Sequence, residues 1–201
     1  MNRTEIKNLA KEQIRGNIGI LFVITILIAV ISYLAGSVIG IVPYVGPIAS
    51  VLFVTAPFLL SQYIIYLNLI NGKKPEIKDA FSGFNDFFSA FKTYLLMLVF
   101  TLLWSLLFII PGIIKAYSYY MSMYILAENK GMSAREAISK SKQMMHGHKM
   151  ELFVLELSFI GWGLLVAITF GIAAIWVVPY MQATYANFYK KLTEEPVLIE
   201  A

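Results

Sequence analysis

The 201-residue chain is 59% hydrophobic and 14% charged, with a formal net charge of +4 and a mean hydropathy of +0.72. A soluble domain averages about 25% charged residues, so these charges are too few to cover a water-facing surface and the chain reads as an integral membrane protein. The composition excludes a disordered chain, a basic nucleic-acid-binding domain and, with no cysteine, a secreted disulfide scaffold.

Residues 1–15 are the first element. Ile6, Leu9, Ala10 and Ile14 share a helix face, Lys7, Lys11 and Arg15 line another at i, i+4 spacing, and Asn2 and Glu5 have capping-box spacing. The pattern predicts an amphipathic helix on a membrane surface. No charge occurs from residue 16 to 72, a stretch that as one helix would measure about 85 Å against a hydrocarbon core of about 30 Å. It is read as a transmembrane hairpin over residues 17–71, with arms 17–41 and 48–70 and a turn at Pro43-Tyr44-Val45-Gly46-Pro47. The charged start leads into an apolar run far longer than a signal h-region, so no cleavable signal peptide is expected.

Residues 75–92 are the second amphipathic segment. Phe81, Phe84, Phe88 and Phe91 recur every three or four residues, with Asp79, Asn85, Asp86 and Lys92 elsewhere on the wheel, an aromatic stripe suited to the headgroup boundary. The next apolar run, 94–127, holds one charge, Lys115, just after Pro111-Gly112. It is either a single span over 94–114, or two short arms meeting at Pro111-Gly112 with Lys115 snorkelling to the far interface. The third amphipathic segment, 133–147, opens on the capping box Ser133-Ala134-Arg135-Glu136 and sets Ala137, Ile138, Ser141, Met144 and Met145 on one face. The last apolar run, 151–189, carries the acid Glu156, is too long for one crossing and short for two, and has Gly171 and Pro179 as its predicted breakers; a polar tail, 190–201, follows.

All bases except Lys115 fall in the four segments that flank these runs. Short cytoplasmic segments collect Lys and Arg, so placing all four inside requires an even number of crossings per run. The fold class that follows is all-α: a polytopic helical membrane protein of about six membrane segments in three hairpins, each preceded by an amphipathic interfacial helix, with both termini cytoplasmic. Some arms are open to being re-entrant. The alternative is four full spans with the 130–149 loop outside.

The second half carries a family resemblance. Trp104-Ser105-Leu106-Leu107-Phe108-Ile109-Ile110-Pro111-Gly112-Ile113-Ile114-Lys115-Ala116-Tyr117-Ser118-Tyr119 is followed by Ser133-Ala134-Arg135-Glu136-Ala137-Ile138 and Ser141-Lys142-Gln143-Met144-Met145-His146-Gly147. Then come Leu157-Ser158-Phe159-Ile160-Gly161-Trp162, Trp176-Val177-Val178-Pro179-Tyr180 and Phe188-Tyr189. With the basic start and Gly16-Asn17, the chain resembles, over nearly its whole length, the bacterial integral membrane family catalogued as domain of unknown function 975. The resemblance implies a multi-pass protein of the bacterial cytoplasmic (inner) membrane with no assigned activity, distantly similar in layout to the membrane part of some glycerophosphodiester phosphodiesterases. It carries over no catalytic residue.

Few residues hold chemistry. A nucleophile elbow, P-loop, dinucleotide fingerprint and zinc-protease helix are absent, and no cofactor or metal is expected. His146 and His148 stand at i, i+2 and share no helix face, so a membrane-surface loop is the favoured reading over a metal site; Arg135, Lys142, His146, His148 and Lys149 are candidate lipid-phosphate contacts. Glu156 is the main functional candidate, because an ionisable group inside a span costs about 2.5–3.5 kcal/mol on insertion scales and usually faces a partner or a wet cavity. A structural bond to a neighbouring helix or to Lys149 competes with a coupled role. Lys115, Pro111 and Gly112 are the second candidate set, a break with a charge beside it being how transporters build sites. Tyr117, Tyr119, Tyr120, Tyr124, Tyr180, Tyr185 and Tyr189 read as interfacial belt and helix packing. Three functions stay open: a non-enzymatic module binding lipids, anionic ones at the cytoplasmic face, or a membrane partner or second copy; a small transporter or permease component; and an enzyme acting on lipid head groups. Nucleic acid is not an expected partner.

Overall fold

The computed structural model describes residues 2–39, 51–107 and 109–194, and all regular structure among them is helical. Helix α1 (Arg3–Ile14) is capped by Asn2, whose Oδ1 accepts from the Thr4 N–H at 3.2 Å. Helix α2 (Ile18–Ile39) follows. The predicted turn at residues 43–47 lies outside the described residues; beyond it a π-helical turn (Val51–Thr55) runs into α3 (Ala56–Ile70). A 3-10 helix (Ile77–Asp86) leads into α4 (Phe87–Leu107), α5 (Ile109–Tyr119) and the short α6 (Ser122–Glu128). The chain then forms α7 (Ala134–Met144), α8 (Lys149–Leu157), α9 (Ile160–Ile168) and α10 (Ala174–Glu194).

Four stretches among the described residues are long and apolar enough to cross a membrane: Ile18–Ile39, Leu52–Ile70, Ile77–Leu106 and Lys149–Ile168. The other two expected segments exist as helices without meeting that criterion. The arm that returns from α4 is interrupted at Tyr120-Met121 and carries Lys115, and the second half of α10 is polar. Both nevertheless fold back on the helix before them, α5 on α4 and α10 on α9.

Local chemistry fixes where the arms turn. Pro111 and Gly112 lie within the first turn of α5 and not between the two arms. Gly112 presses on the outgoing arm so closely that a Cβ there would lie 2.2 Å from Ser105 Oγ and 2.8 Å from Ser105 Cα. The α9–α10 turn forms at Gly171 as the sequence predicts, but Pro179 does not break the chain and lies inside α10. The Phe170 N–H bonds the Ala167 carbonyl at 3.1 Å and the Gly171 N–H bonds the Val166 carbonyl at 2.8 Å, the Schellman pattern that satisfies the last carbonyls of α9. Phe170 takes the left-handed position of that motif, φ 49°, where an L side chain costs roughly 1–2 kcal/mol and glycine is usual.

Packing is uneven along the hairpins. Helix α3 is central, with 56% of its apolar window buried; the corresponding share is 17%, 11% and 17% for the other three stretches, which leave most of their apolar surface uncovered by protein. One core cluster joins α1, α2, α3, α6, α8 and α10, whereas α9 contributes no buried residue.

Two amphipathic segments depart from the surface-lying expectation. The apolar face of α1 is covered by protein: Ile6, Ala10 and Ile14 are fully buried, and α1 packs chiefly on α10. Glu5 pairs with Lys191 at 2.7 Å, and Gln13 and Asn187 exchange amide hydrogen bonds at 3.2 and 2.5 Å. The phenylalanine stripe is divided. Phe81 and Phe84 share a face of the 3-10 helix, as its three-residue repeat requires, and flank Phe58 of α3 with ring centroids 6.0 and 5.0 Å away. Phe91 stacks on Phe53 at 5.0 Å, and Phe88 remains exposed.

Candidate functional site

Two constellations stand out, one of lysines on α1 and α7 and one of tyrosines in the core. The first starts from α1. Docking its apolar face on α10 turns Arg3, Lys7 and Lys11, one turn apart, toward the α8–α9 junction and the side of α10. Lys7 Nζ lies 4.1 Å from the centroid of the Phe159 ring and donates to the Ser158 carbonyl at 3.3 Å. Ser158 caps the end of α8, so this ammonium meets an orphan carbonyl at the negative end of a helix dipole. Lys11 Nζ lies 5.5 Å from the Tyr180 centroid. On the next hairpin, Lys142 of α7 stands 5.5 Å from the Tyr119 ring and 5.9 Å from the Phe100 ring.

Each of these three lysines is thus backed by an aromatic face of a hairpin, and among the described residues none is ion-paired to a carboxylate. Burial, and then the neighbouring Lys11 and Arg3 charges, hold the Lys7 ammonium below the usual lysine range. An anion placed there would relieve that repulsion. A hollow of about 340 Å³ lies beside it, lined by Asn2, Arg3, Thr4, Lys7 and Ser158. A larger one, about 550 Å³, lies between the α6–α7 loop and α7 and includes the Glu136 carboxylate among its lining residues. The smaller hollow is the better anion site, because the groups around it are cations, hydroxyls and a helix N-terminus without an acid.

The second constellation is a tyrosine seam. Tyr124 stacks on Tyr189 with centroids 5.3 Å apart and meets Tyr63 edge-on at 4.2 Å, and Tyr120 meets Tyr185 at 5.9 Å. Two acids end on it: Tyr189 Oη donates to Glu128 Oε2 at 2.5 Å, and Tyr117 Oη donates to Glu156 Oε2. Tyrosines that the sequence reads partly as an interfacial belt are therefore core residues, with Tyr119, Tyr124, Tyr180 and Tyr189 almost fully buried.

The residues singled out from sequence are dispersed. Glu156 is half-buried on α8 and bonded to α5 through Tyr117. Lys115 lies with its Nζ 4.5 Å from the Trp104 centroid, across the same hairpin in which Gly112 meets Ser105, and Pro111 is half-buried beside them. Arg135 and Lys142 are exposed on α7, His146 is exposed in the turn after it, and Lys149 opens α8 half-buried. His148 Nδ1 is 3.2 Å from Glu151 Oε2. Among the described residues no group of three or more His, Cys, Asp or Glu is placed to hold a metal ion. The Arg3, Lys7, Lys11 site was missed as a site. Its spacing is visible in sequence, but the Ser158 carbonyl that completes it lies 151 residues away.

The profile of the family described as "Protein of unknown function (DUF975)" matches residues 1–118 and, in a second stretch, 107–196. No curated protein and no solved structure gives a match.

Proposed function

Since the chain belongs to this family of unknown function, we propose, on the geometry, that it is a non-enzymatic module of the bacterial cytoplasmic membrane that holds anionic lipid head groups at the cytoplasmic face. The observation that carries this reading is the set of ring-backed lysines, Lys7, Lys11 and Lys142, held without a carboxylate partner where the amphipathic helices meet the apolar hairpins. A lysine ammonium of this kind is a compact point charge for a phosphate, and each basic residue near an anionic leaflet adds about 1 kcal/mol of attraction. Arg135, His146, His148 and Lys149, on α7 and the turn that leads into α8, would extend the contact. Both termini and all the loops that carry bases then face the cytoplasm.

The test is lipid retention. Purified protein in nanodiscs of mixed phosphatidylglycerol and phosphatidylethanolamine should keep the anionic lipid on transfer to detergent, read by native mass spectrometry. Lys7→Gln combined with Lys11→Gln should reduce that retention about tenfold or more, two lost contacts of about 1 kcal/mol each. Equal retention in wild type and the double variant would overturn the reading.

A transporter component is the second reading, favoured by one observation: the Glu156 carboxylate is bonded to Tyr117 within an apolar arm.

A further inference from the structure

The lysines that reach ring faces of the hairpins from α1 and α7, Lys7, Lys11 and Lys142, also mark a depth. An ammonium over Phe159 and Tyr180 fixes where the polar boundary crosses the third hairpin, and one over Tyr119 and Phe100 fixes it on the second. What projects beyond that boundary is short. On the third hairpin it is α9, nine residues and about 14 Å, with its turn and the start of α10. On the second it is the 11 residues of α5, about 16 Å, against a still shorter end of α4. Even measured from Lys92, the last charge before the turn, the α4 arm reaches only about 23 Å. A hydrocarbon core is about 30 Å thick, and one leaflet about half of that. Helix α2, by contrast, has 22 residues and is about 33 Å long.

The tips have the chemistry of a bilayer interior. Leu106, Ile109 and Ile110 on one, and Ile168, Phe170 and Ile172 on the other, are each more than a third exposed, and neither tip has a charged residue; Phe170 is 98% exposed. Phe170 also holds a left-handed backbone position where glycine would be unstrained, so a large apolar ring is retained at the outermost point of the hairpin. Among the described residues of the two tips the one polar side chain is Thr169, whose hydroxyl donates to the Leu165 and Val166 carbonyls of its own helix at 2.8 and 3.2 Å, and none carries the Lys, Arg or Tyr that collect where a span emerges into a headgroup layer. Lys115, the one charge beyond the boundary, is turned onto Trp104 across its own hairpin.

We propose that the second and third hairpins end inside the bilayer, so that the protein drives two apolar wedges into the leaflet on its basic side, their tips covered by lipid acyl chains. Hairpins of this depth add volume to one leaflet and not the other. The consequence is a preference for membrane that curves toward that leaflet, and a function in sensing or setting curvature. This rests on the reading that the basic segments share one face, but not on their binding any particular head group.

With no cysteine in the sequence, single probes at Ile110→Cys and Phe170→Cys report depth directly. In oriented vesicles, both should resist a membrane-impermeant maleimide from either side and react after solubilisation, while Ser139→Cys reacts from the basic side. Fluorophores at the two tips should be quenched most by lipids brominated near the acyl-chain end. Labelling of either tip from the face opposite Ser139 would overturn the proposal in favour of full spans. Reconstituted with the basic side outward, the protein should be enriched in a tether pulled from a giant vesicle; equal density in tether and vesicle would overturn the curvature function. Lys7→Gln with Lys11→Gln should leave tip depth unchanged even if lipid retention is lost, so failure of the head-group reading and failure of the wedge are told apart.

Discussion

Glu156 illustrates how much a single side chain can decide. Its carboxylate takes a hydrogen bond from the Tyr117 hydroxyl, tying α8 to α5. Interhelical bonds of this kind in membranes average about 0.6 kcal/mol and reach about 1.7. If the bond is structural, Glu156→Gln keeps an acceptor of the same shape, so the protein should purify folded and retain lipid as wild type does. Tyr117→Phe should lower thermal stability slightly by removing the donor. A folded Glu156→Gln protein that has lost its cellular phenotype would instead show that the ionised state is required and raise the transporter reading. That Glu156 needs a partner was legible from sequence, since an acid in an apolar run must be accounted for. Its partner was not, because Tyr117 lies 39 residues away and no spacing rule reaches that far.

At the scale of elements, the junction between α3 and the 3-10 helix shows why local pattern reading succeeds only in part. The phenylalanine repeat announces an amphipathic segment, but both three- and four-residue spacings occur in it, and the choice between 3-10 and α geometry is made by a tertiary contact. Gly83 lies against α3 with its N–H donating to Ser61 Oγ at 2.8 Å, while Ser61 Oγ donates to the Pro57 carbonyl at 3.0 Å. A Cβ at Gly83 would stand 2.1 Å from that carbonyl oxygen and 2.7 Å from the Ser61 nitrogen, both backbone atoms that cannot swing away. Gly83→Ala should therefore separate the two helices and cost about 1–3 kcal/mol, read as a lowered melting temperature in detergent. An unchanged melting temperature would show that the approach is looser than described. The start of the helix after Ser133 was legible, because its signals are local: Ser133 and Glu136 form the reciprocal capping box, with the Glu136 N–H donating to Ser133 Oγ at 3.3 Å and the Ser133 N–H to Glu136 Oε2 at 3.1 Å. The docking of α1 was not, since an apolar stripe looks the same whether lipid or α10 covers it.

For the whole molecule, the bases of the sequence, Lys115 apart, fall in the segments that flank its apolar runs. Single cysteines at Asn2, Asn85, Ser139 and Thr193 should all react from the cytoplasmic side only. External labelling of Ser139→Cys would place the 130–149 loop outside and restore four independent spans. The expected polarity rests on the positions of Lys and Arg alone. The unequal packing of the hairpins was not readable from sequence, because composition does not distinguish an apolar residue facing protein, as in α3, from one that protein leaves uncovered, as in α9.

The clasp between α1 and α10 also sets an order of assembly. Glu5 and Gln13 find their partners at Lys191 and Asn187, so the first of the described helices is completed by the last of them. Until α10 emerges from the ribosome, Ile6, Ala10 and Ile14 lack the surface that chiefly covers them. A nascent chain stalled after the second hairpin would therefore carry an open hydrophobic stripe at its N-terminal helix, a mark by which quality control can tell an unfinished copy from a finished one.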